Sequence, residues 1–260
     1  MSKLSVVMIV RNEARRIERS LRSARWADEI VVIDAFSTDE TMAICRRFTD
    51  RIFQYAWEGF AKQRERSLAH ATHAWIFSLD ADEVVSEELQ QEIKRVLQEG
   101  AAKEGYWMSR KTHYLGRWIE HSGWFPDYQL RLFRKDKVVV EPKAVHEGFS
   151  VHGATGRLAG LLYHYSYDSI FEHLEKINRY TTLEVPYKLE RLQGKPVRWY
   201  QLVFNAWALF VKMFVFKKGY KDGMPGFILA LLSAFYTQLL YAKAWENLNQ
   251  KGREHSVSHE

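Results

Sequence analysis

Trp75-Ile76-Phe77-Ser78-Leu79 runs directly into Asp80-Ala81-Asp82. A β-branched and aromatic run of this length reads as a buried strand. It places two carboxylates, one residue apart, at the strand's carboxyl end. Open α/β sheets bind their ligands at that edge. Paired hard oxygen donors suit Mg²⁺ or Mn²⁺ held jointly with a diphosphate. Acid-x-acid alone is a common turn sequence, so its place after a buried strand is what gives it meaning.

Working outward, strand-like and helix-like segments alternate from residue 4 to about residue 96. Residues 4–10 are an apolar run, and residues 13–25 carry helical spacing through Ala14, Ile17 and Leu21. A second strand spans 29–33. Thr38 and Asp39 are cap signals for a helix reaching Phe48. A third strand spans 51–55, a basic helix 60–73, and Ser86-Glu87-Glu88 opens a helix with acids in its first turn. This rhythm predicts an α/β fold, a mostly parallel sheet flanked by helices. From residue 105 the pattern shifts to short strands, with 106–110, 129–133 and 138–140 extending the sheet. Helical spacing returns at 168–191.

The chain has 260 residues, 38 Lys and Arg against 32 Asp and Glu, and 47% hydrophobic residues. That hydrophobic content excludes a disordered protein. The excess of positive charge suits an anionic partner. A single cysteine, Cys45, excludes a disulfide framework and reads as a small buried hydrophobe in a reducing compartment. The first residues lack the form of a secretion signal.

Residues 197–246 hold 13 of the chain's 37 aromatics, interleaved with Arg198, Lys212, Lys217, Lys218, Lys221 and Lys243. Aromatic rings at headgroup depth with long basic side chains reaching outward suit a membrane surface. An ordinary helical pair packed on the rest of the protein fits the same composition. Residues 224–242 are about long enough to span a bilayer, but Pro225, Gly226, Thr237 and Gln238 dilute them. The expected organisation is a catalytic domain over 1–165, a C-terminal aromatic and basic helical region over 166–250, and a flexible tail over 251–260.

Three strand tips carry polar residues on one edge: Asn12 and Glu13, Asp34, then Asp80 and Asp82. Capping explains Thr38 and Asp39, but it does not require acids at three tips, whereas a nucleotide with a metal does. The runs SVVMIVRNEARRIERSL, WADEIVVIDAFSTDET and FAKQRERSLAHATHAWIFSLDADE resemble the nucleotide-binding half of the inverting family 2 glycosyltransferases, which have a Rossmann-like GT-A fold. GRWIEHSGWFPDYQLRLFRK and AVHEGF resemble a narrower branch, the lipopolysaccharide inner-core β-1,4-glucosyltransferases that act on a heptose. The resemblance spans residues 4–180 and weakens beyond.

The resemblance implies a UDP-sugar donor, with Glu13 and Asp34 on the uridine or ribose and Arg11 nearby. It implies Asp80 on ribose or metal, and Asp82 ligating the divalent cation. Lys62 and Arg66, one helical turn apart, either face the diphosphate or form a solvated basic face. Inverting transfer needs a carboxylate to take the acceptor hydroxyl's proton. Asp127 aligns with the family's base, and Glu147 is its rival. His146 is either a late metal ligand or a structural histidine. Trp124 is placed to stack on the acceptor sugar, and Trp118 reads as core first. Arg131 or Arg134 could meet an acceptor phosphate, since alternation puts them on opposite strand faces. His113, Arg117 and His121 add charge on the presumed acceptor side. The implied partners are UDP-glucose, a lipid-linked core oligosaccharide and the cytoplasmic face of the inner membrane.

Rival readings are weaker. A nucleotidyltransferase needs glycines after the first strand, where residues 11–15 have none. A polyprenyl-phosphate glycosyltransferase calls for clear membrane spans. A membrane adapter with a degenerate site sits badly with intact Asp34, Asp80, Asp82 and Asp127. Nucleic-acid binding is not expected, because the basic residues are scattered or paired with aromatics.

Overall fold

The computed structural model describes residues 2–141 and 148–257, with residues 251–257 as backbone only. In chain order the elements are β1 (Leu4–Val10), α1 (Ile17–Ala24), β2 (Glu29–Asp34), α2 (Thr41–Cys45), β3 (Ile52–Gln54), α3 (Phe60–His70), β4 (Trp75–Ser78), β5 (Glu83–Val85) and α4 (Glu87–Gln98). There follow β6 (Gly105–Tyr114), β7 (Arg117–Trp118), β8 (Asp127–Arg134), β9 (Val138–Val140), β10 (Phe149–Val151), β11 (Thr155–Tyr167), α5 (Ile170–Leu192), α6 (Trp199–Val211) and α7 (Gly223–Val257).

The nine-stranded sheet follows the path β3-β2-β1-β4-β8-β6-β11-β5, with β7 off it. The first four strands are parallel. From β4 to β8 and β8 to β6 the pairing turns antiparallel. This is the mixed α/β sheet of a Rossmann-like GT-A fold. The order reverses between β1 and β4, which makes their carboxyl tips the switch point where a crevice opens.

Buried β1, β2 and β4 carry the apolar runs, and α1 and α4 cover them with Ile17, Leu21, Leu89, Ile93 and Leu97. Ser86 caps α4, its Oγ accepting from the Leu89 N–H at 3.1 Å. Cys45 is buried on α2, and burial pushes its thiol up to about 12. Gly160 passes so close to Leu89 that any Cβ would overlap that residue's backbone.

Two expected elements differ. Residues 138–140 pair with β10 in a separate two-stranded sheet. The first helix begins at Ile17, because the Glu13 and Ala14 N–H groups bond instead to Thr41 Oγ1 and an Asp39 carboxylate oxygen.

The chain divides into two compact units: Met1–His113 with Pro126–Ser166, and Tyr114–Phe125 with Tyr167–Glu260. Segment Tyr114–Phe125, expected with the sheet, therefore groups with the C-terminal helices. In this second unit Tyr114, Ile119, Met213, Leu229 and Ala230 share a core. Helices α6 and α7 form a hairpin whose turn is clamped by that segment. The backbone N–H groups of Glu120 and His121 donate to Asp222 at 3.3 and 2.9 Å, and the Ser122 N–H donates to the Lys217 carbonyl at 2.9 Å. Lys243 pins α7 to α5, donating to Asn178, Thr181 and Thr182.

Two segments, Trp199–Phe216 and Gly219–Gln250, are long and apolar enough to cross a membrane by length and composition. Sequence reading had found one such stretch, and a diluted one. Pro225 falls in the first turn of α7, where the missing N–H costs nothing.

Candidate active site

Each polar strand tip is built by local bonding. Asp34, at the end of β2, is fully buried. Its carboxylate accepts from Ser37 N–H, Ser37 Oγ at 2.5 Å and Gln54 Nε2 at 2.9 Å. Asn12 follows β1, donates its N–H to Ser37 Oγ, and accepts from the Thr38 N–H at 2.8 Å. Arg11 is exposed and Glu13 half-buried, with Arg16 3.9 Å from the Glu13 carboxylate. Asp34 thus holds the tip together, with its hydrogen-bonding capacity largely taken.

The acid pair after β4 is the centre of a larger network. Arg131 on β8 is 4% exposed. Its Nη2 donates to Asp80 Oδ2 at 2.5 Å and to Glu83 Oε1 at 2.7 Å. Glu83 is fully buried, accepts from the Asp80 N–H at 3.1 Å, and lies 3.4 Å from Arg110. Arg110 on β6 then pairs with Asp127, Nη2 to Oδ2 at 2.7 Å. The other Asp127 oxygen accepts from Gln129 Nε2 at 2.8 Å. One chain of alternating charge therefore links Asp80, Arg131, Glu83, Arg110 and Asp127. Burial pushes the Glu83 carboxyl up, against the neighbouring arginines. Asp80 is also opposed by burial, yet the Arg131 charge carries its pKa below the usual carboxylate range.

Asp82 points elsewhere. Its Oδ2 lies 3.2 Å from His164 Nε2 on β11, whose Nδ1 is 3.2 Å from Thr112 Oγ1. The Tyr165 N–H donates to the Asp82 carbonyl at 2.9 Å, fixing that register. Among the described residues no three His, Cys, Asp or Glu side chains form a metal cage. A carboxylate oxygen with one imidazole nitrogen fits a cation whose remaining positions come from phosphates and water.

Sequence reasoning placed Arg131 at the acceptor. Its guanidinium is instead spent on Asp80 and Glu83. Lys62 pairs with Glu65 at 3.1 Å, and Arg66 pairs with Glu58 and lies over the Tyr55 ring. Both belong to the first unit, and Arg66 also donates to the Ala56 carbonyl at 2.9 Å. Trp124 belongs to the second unit, its ring edge-on to Tyr114 at 6.2 Å. Glu147 and His146 lie outside the described residues. Glu83, Arg110 and His164 were missed. Glu83 adjoins the acid pair in sequence, while the other two are joined to it only by the sheet.

A family model described as Glycosyl transferase family 2 matches residues 5–153. The lipopolysaccharide core biosynthesis glycosyltransferase LpsC of Rhizobium meliloti (strain 1021) is 29% identical over 258 residues, covering 96% of this chain and 94% of LpsC. An uncharacterized glycosyltransferase of Rickettsia felis is 27% identical, covering 95% and 91% of the two chains. The crystal structure of S. aureus TarS 1-349 in complex with UDP-GlcNAc covers 97% of this chain and 92% of its own, with a TM-score of 0.49 at 14% identity. That likeness is too distant to add to the assignment. The family match runs from β1 through all three polar strand tips and Asp127, and includes the stretch that builds the charge network. On that match the chain belongs to glycosyl transferase family 2 and is a glycosyltransferase.

Proposed function

We propose that this glycosyltransferase inverts configuration while moving a hexose, glucose first among candidates, from a UDP-sugar to a heptose of the lipopolysaccharide inner core. One observation carries the mechanism. Asp127 and Asp80, the first acid after β4, are fixed to one another through Arg110, Glu83 and Arg131. A base and a leaving-group site held in one rigid network meet the positioning demand of in-line displacement.

Asp127 takes the proton of the acceptor hydroxyl as that oxygen attacks the anomeric carbon. Arg110 and Gln129 orient its carboxylate for the task. The bond to the donor diphosphate breaks on the opposite face. Mg²⁺ or Mn²⁺, when bound, stabilises charge on the leaving diphosphate, and Asp82 with His164 would hold it. Asp80, held by Arg131, would contact the ribose or the metal, and Glu13, Asp34 and Arg11 are the proposed nucleotide contacts. Trp124 remains the proposed acceptor platform. Lys62 and Arg66 are the proposed diphosphate contacts, to be freed from Glu65 and Glu58.

The acceptor part draws support from the similarity to LpsC. A lipid-anchored acceptor also gives a use for the second unit's uncovered apolar face. Trp199, Trp207 and Phe216 are 75%, 64% and 76% exposed. Basic residues flank both ends of α6. Its hairpin turn is bonded to residues 120–122, and that segment continues directly into β6 and β8. A hairpin crossing the bilayer would carry this segment across with it, so the reading is a helix pair lying in the cytoplasmic face of the inner membrane.

The test is UDP release from a panel of UDP-sugars with Mn²⁺ and heptose-terminated core lipopolysaccharide. Acceptor-dependent release with UDP-glucose supports the whole reading. UDP binding without transfer to that acceptor overturns the acceptor alone. Absence of UDP binding overturns the donor.

A further inference from the structure

Two non-glycine residues at adjacent strand tips occupy the left-handed backbone region, Asn12 at φ 56° and Phe36 at φ 55°. Asparagine visits that region readily, since its short amide bonds locally. A bulky aromatic there is an outlier that its surroundings must enforce. Here they do so from both sides. Asp34 precedes Phe36, is buried, and binds the Ser37 N–H and Oγ, while Gln54 secures it from β3. Asn12 reaches from β1 to the Thr38 N–H. The backbone around Phe36 is tied on every side, yet its ring is 55% exposed.

A turn needing only this backbone geometry is best served by glycine. A fold needing an apolar side chain here would bury it. Neither demand explains an outward ring on a strained backbone. Its position does. In the sheet β2 lies two strands from β4, with β1 between them. Parallel strands lie about 4.8 Å apart, so the tip of β2 is roughly 10 Å from the Asp80 and Asp82 tip. That is about the reach of a ribose and its base from a diphosphate held at those acids. The Asp34 carboxylate, bonded to Ser37 and Gln54, offers a base an edge at most, and the exposed Phe36 ring offers the π face beside it.

We infer that Phe36 is the base platform of the donor site, its ring held outward by the Asp34–Ser37 and Asn12–Thr38 bonds to stack on the nucleotide's base. The inference rests on the nucleotide-sugar reading given above and names a contact that reading lacks.

The experiment titrates UDP with Mn²⁺ into the full-length wild type, F36G and F36Y by calorimetry, with Mn²⁺-pyrophosphate as a ligand lacking a base. Thermal unfolding is followed in parallel. One lost base stack weakens UDP binding by roughly 5–150-fold. F36G should show that loss while keeping wild-type pyrophosphate affinity and an equal or higher Tm, because glycine relieves the strained φ. F36Y should bind UDP as the wild type does. Wild-type UDP affinity in F36G overturns the inference. So does a loss in F36G that extends to pyrophosphate together with a lower Tm, which would mark a structural role. Failure of the wild type to bind UDP overturns the donor reading itself, before any variant is compared.

Discussion

Arg110 and Asp127 are direct cross-strand partners in the β6–β8 register, and their side chains meet at 2.7 Å across it. A carboxylate held this way has a fixed direction, which suits one that must meet a single acceptor hydroxyl. Asp127→Asn should abolish turnover while leaving UDP affinity near wild type, because a base acts on the acceptor. Arg110→Gln should lower kcat with UDP affinity likewise retained. Steady-state kinetics with calorimetric UDP titration check both. Wild-type turnover in Asp127→Asn would move the base assignment to Glu147.

Arg131 is the buried keystone between Asp80 and Glu83. Burial alone would lower its pKa, but the two carboxylates raise it, so it stays charged. Arg131→Met leaves the fully buried Glu83 carboxylate with its ion pair to Arg110 at 3.4 Å and removes the ion-pair partner of Asp80, whose side chain is 31% exposed. Breaking one side of a buried ion pair costs about 3–5 kcal/mol. Urea unfolding should show a loss of that order, and an unchanged midpoint would mean that Asp80 and Glu83 find water or protons instead.

His164 and Asp82 are the two protein donors proposed for the cation. Either replaced by alanine should weaken Mn²⁺-dependent UDP binding by at least ~10–100-fold, the effect that even outer partners of metal ligands have. Metal-independent UDP binding should stay intact. Equal Mn²⁺ dependence in wild type and His164→Ala would remove His164 from the ligand set.

His173 in the second unit predicts a pH dependence of stability. It is buried, its Nδ1 is 2.8 Å from Tyr114 Oη, and its ring stacks on Tyr167 at 4.3 Å. Burial, with Lys176 adding to it, pushes its pKa down to about 4. Its unfolded value is near 6.5. Between those values the unfolded chain binds a proton that the folded one refuses. Stability is therefore full above pH 6.5 and declines as pH falls toward 4, by about 3 kcal/mol in all. His173→Gln should flatten the Tm profile over that window, and a profile unchanged from wild type would contradict the assignment.

The membrane reading predicts that Phe204→Glu with Trp207→Glu abolishes cosedimentation with vesicles containing anionic phospholipid. Both side chains are exposed, so Tm in solution should stay within a few degrees of wild type. Cosedimentation undiminished by the two charges would send the apolar face to a protein partner. Removing residues 195–260 is a poorer test, because Tyr114 and Ile119 share their core with Met213 and Leu229.

Local signals were legible where one strand or one turn decides the outcome. The bounds of β1 match its apolar run, and Ser86 caps α4 as its sequence suggests. Alternation along β8 put Arg131 and Arg134 on opposite faces but could not say which faced inward. The answer lies in Asp80 and Glu83, 51 and 48 residues away. Arg134 turns instead to Asp136 and Glu104. His164 is invisible for the same reason, since its partner Asp82 is 82 residues distant and reaches it only through β11. The strand-tip acids are local motifs, whereas the groups bonded to them are gathered by topology.

The bond from Glu120 to Asp222 spans 102 residues. During synthesis at about 5–20 residues per second, segment Tyr114–Phe125 leaves the ribosome roughly 5–20 s before its clamp exists. For that interval Tyr114 and Ile119 are sticky surface on a nascent chain. The hairpin that finally covers them carries the exposed Trp199, Trp207 and Phe216. Completion of this unit's core therefore waits on a segment 102 residues downstream, and a chain halted before it leaves Tyr114 and Ile119 uncovered.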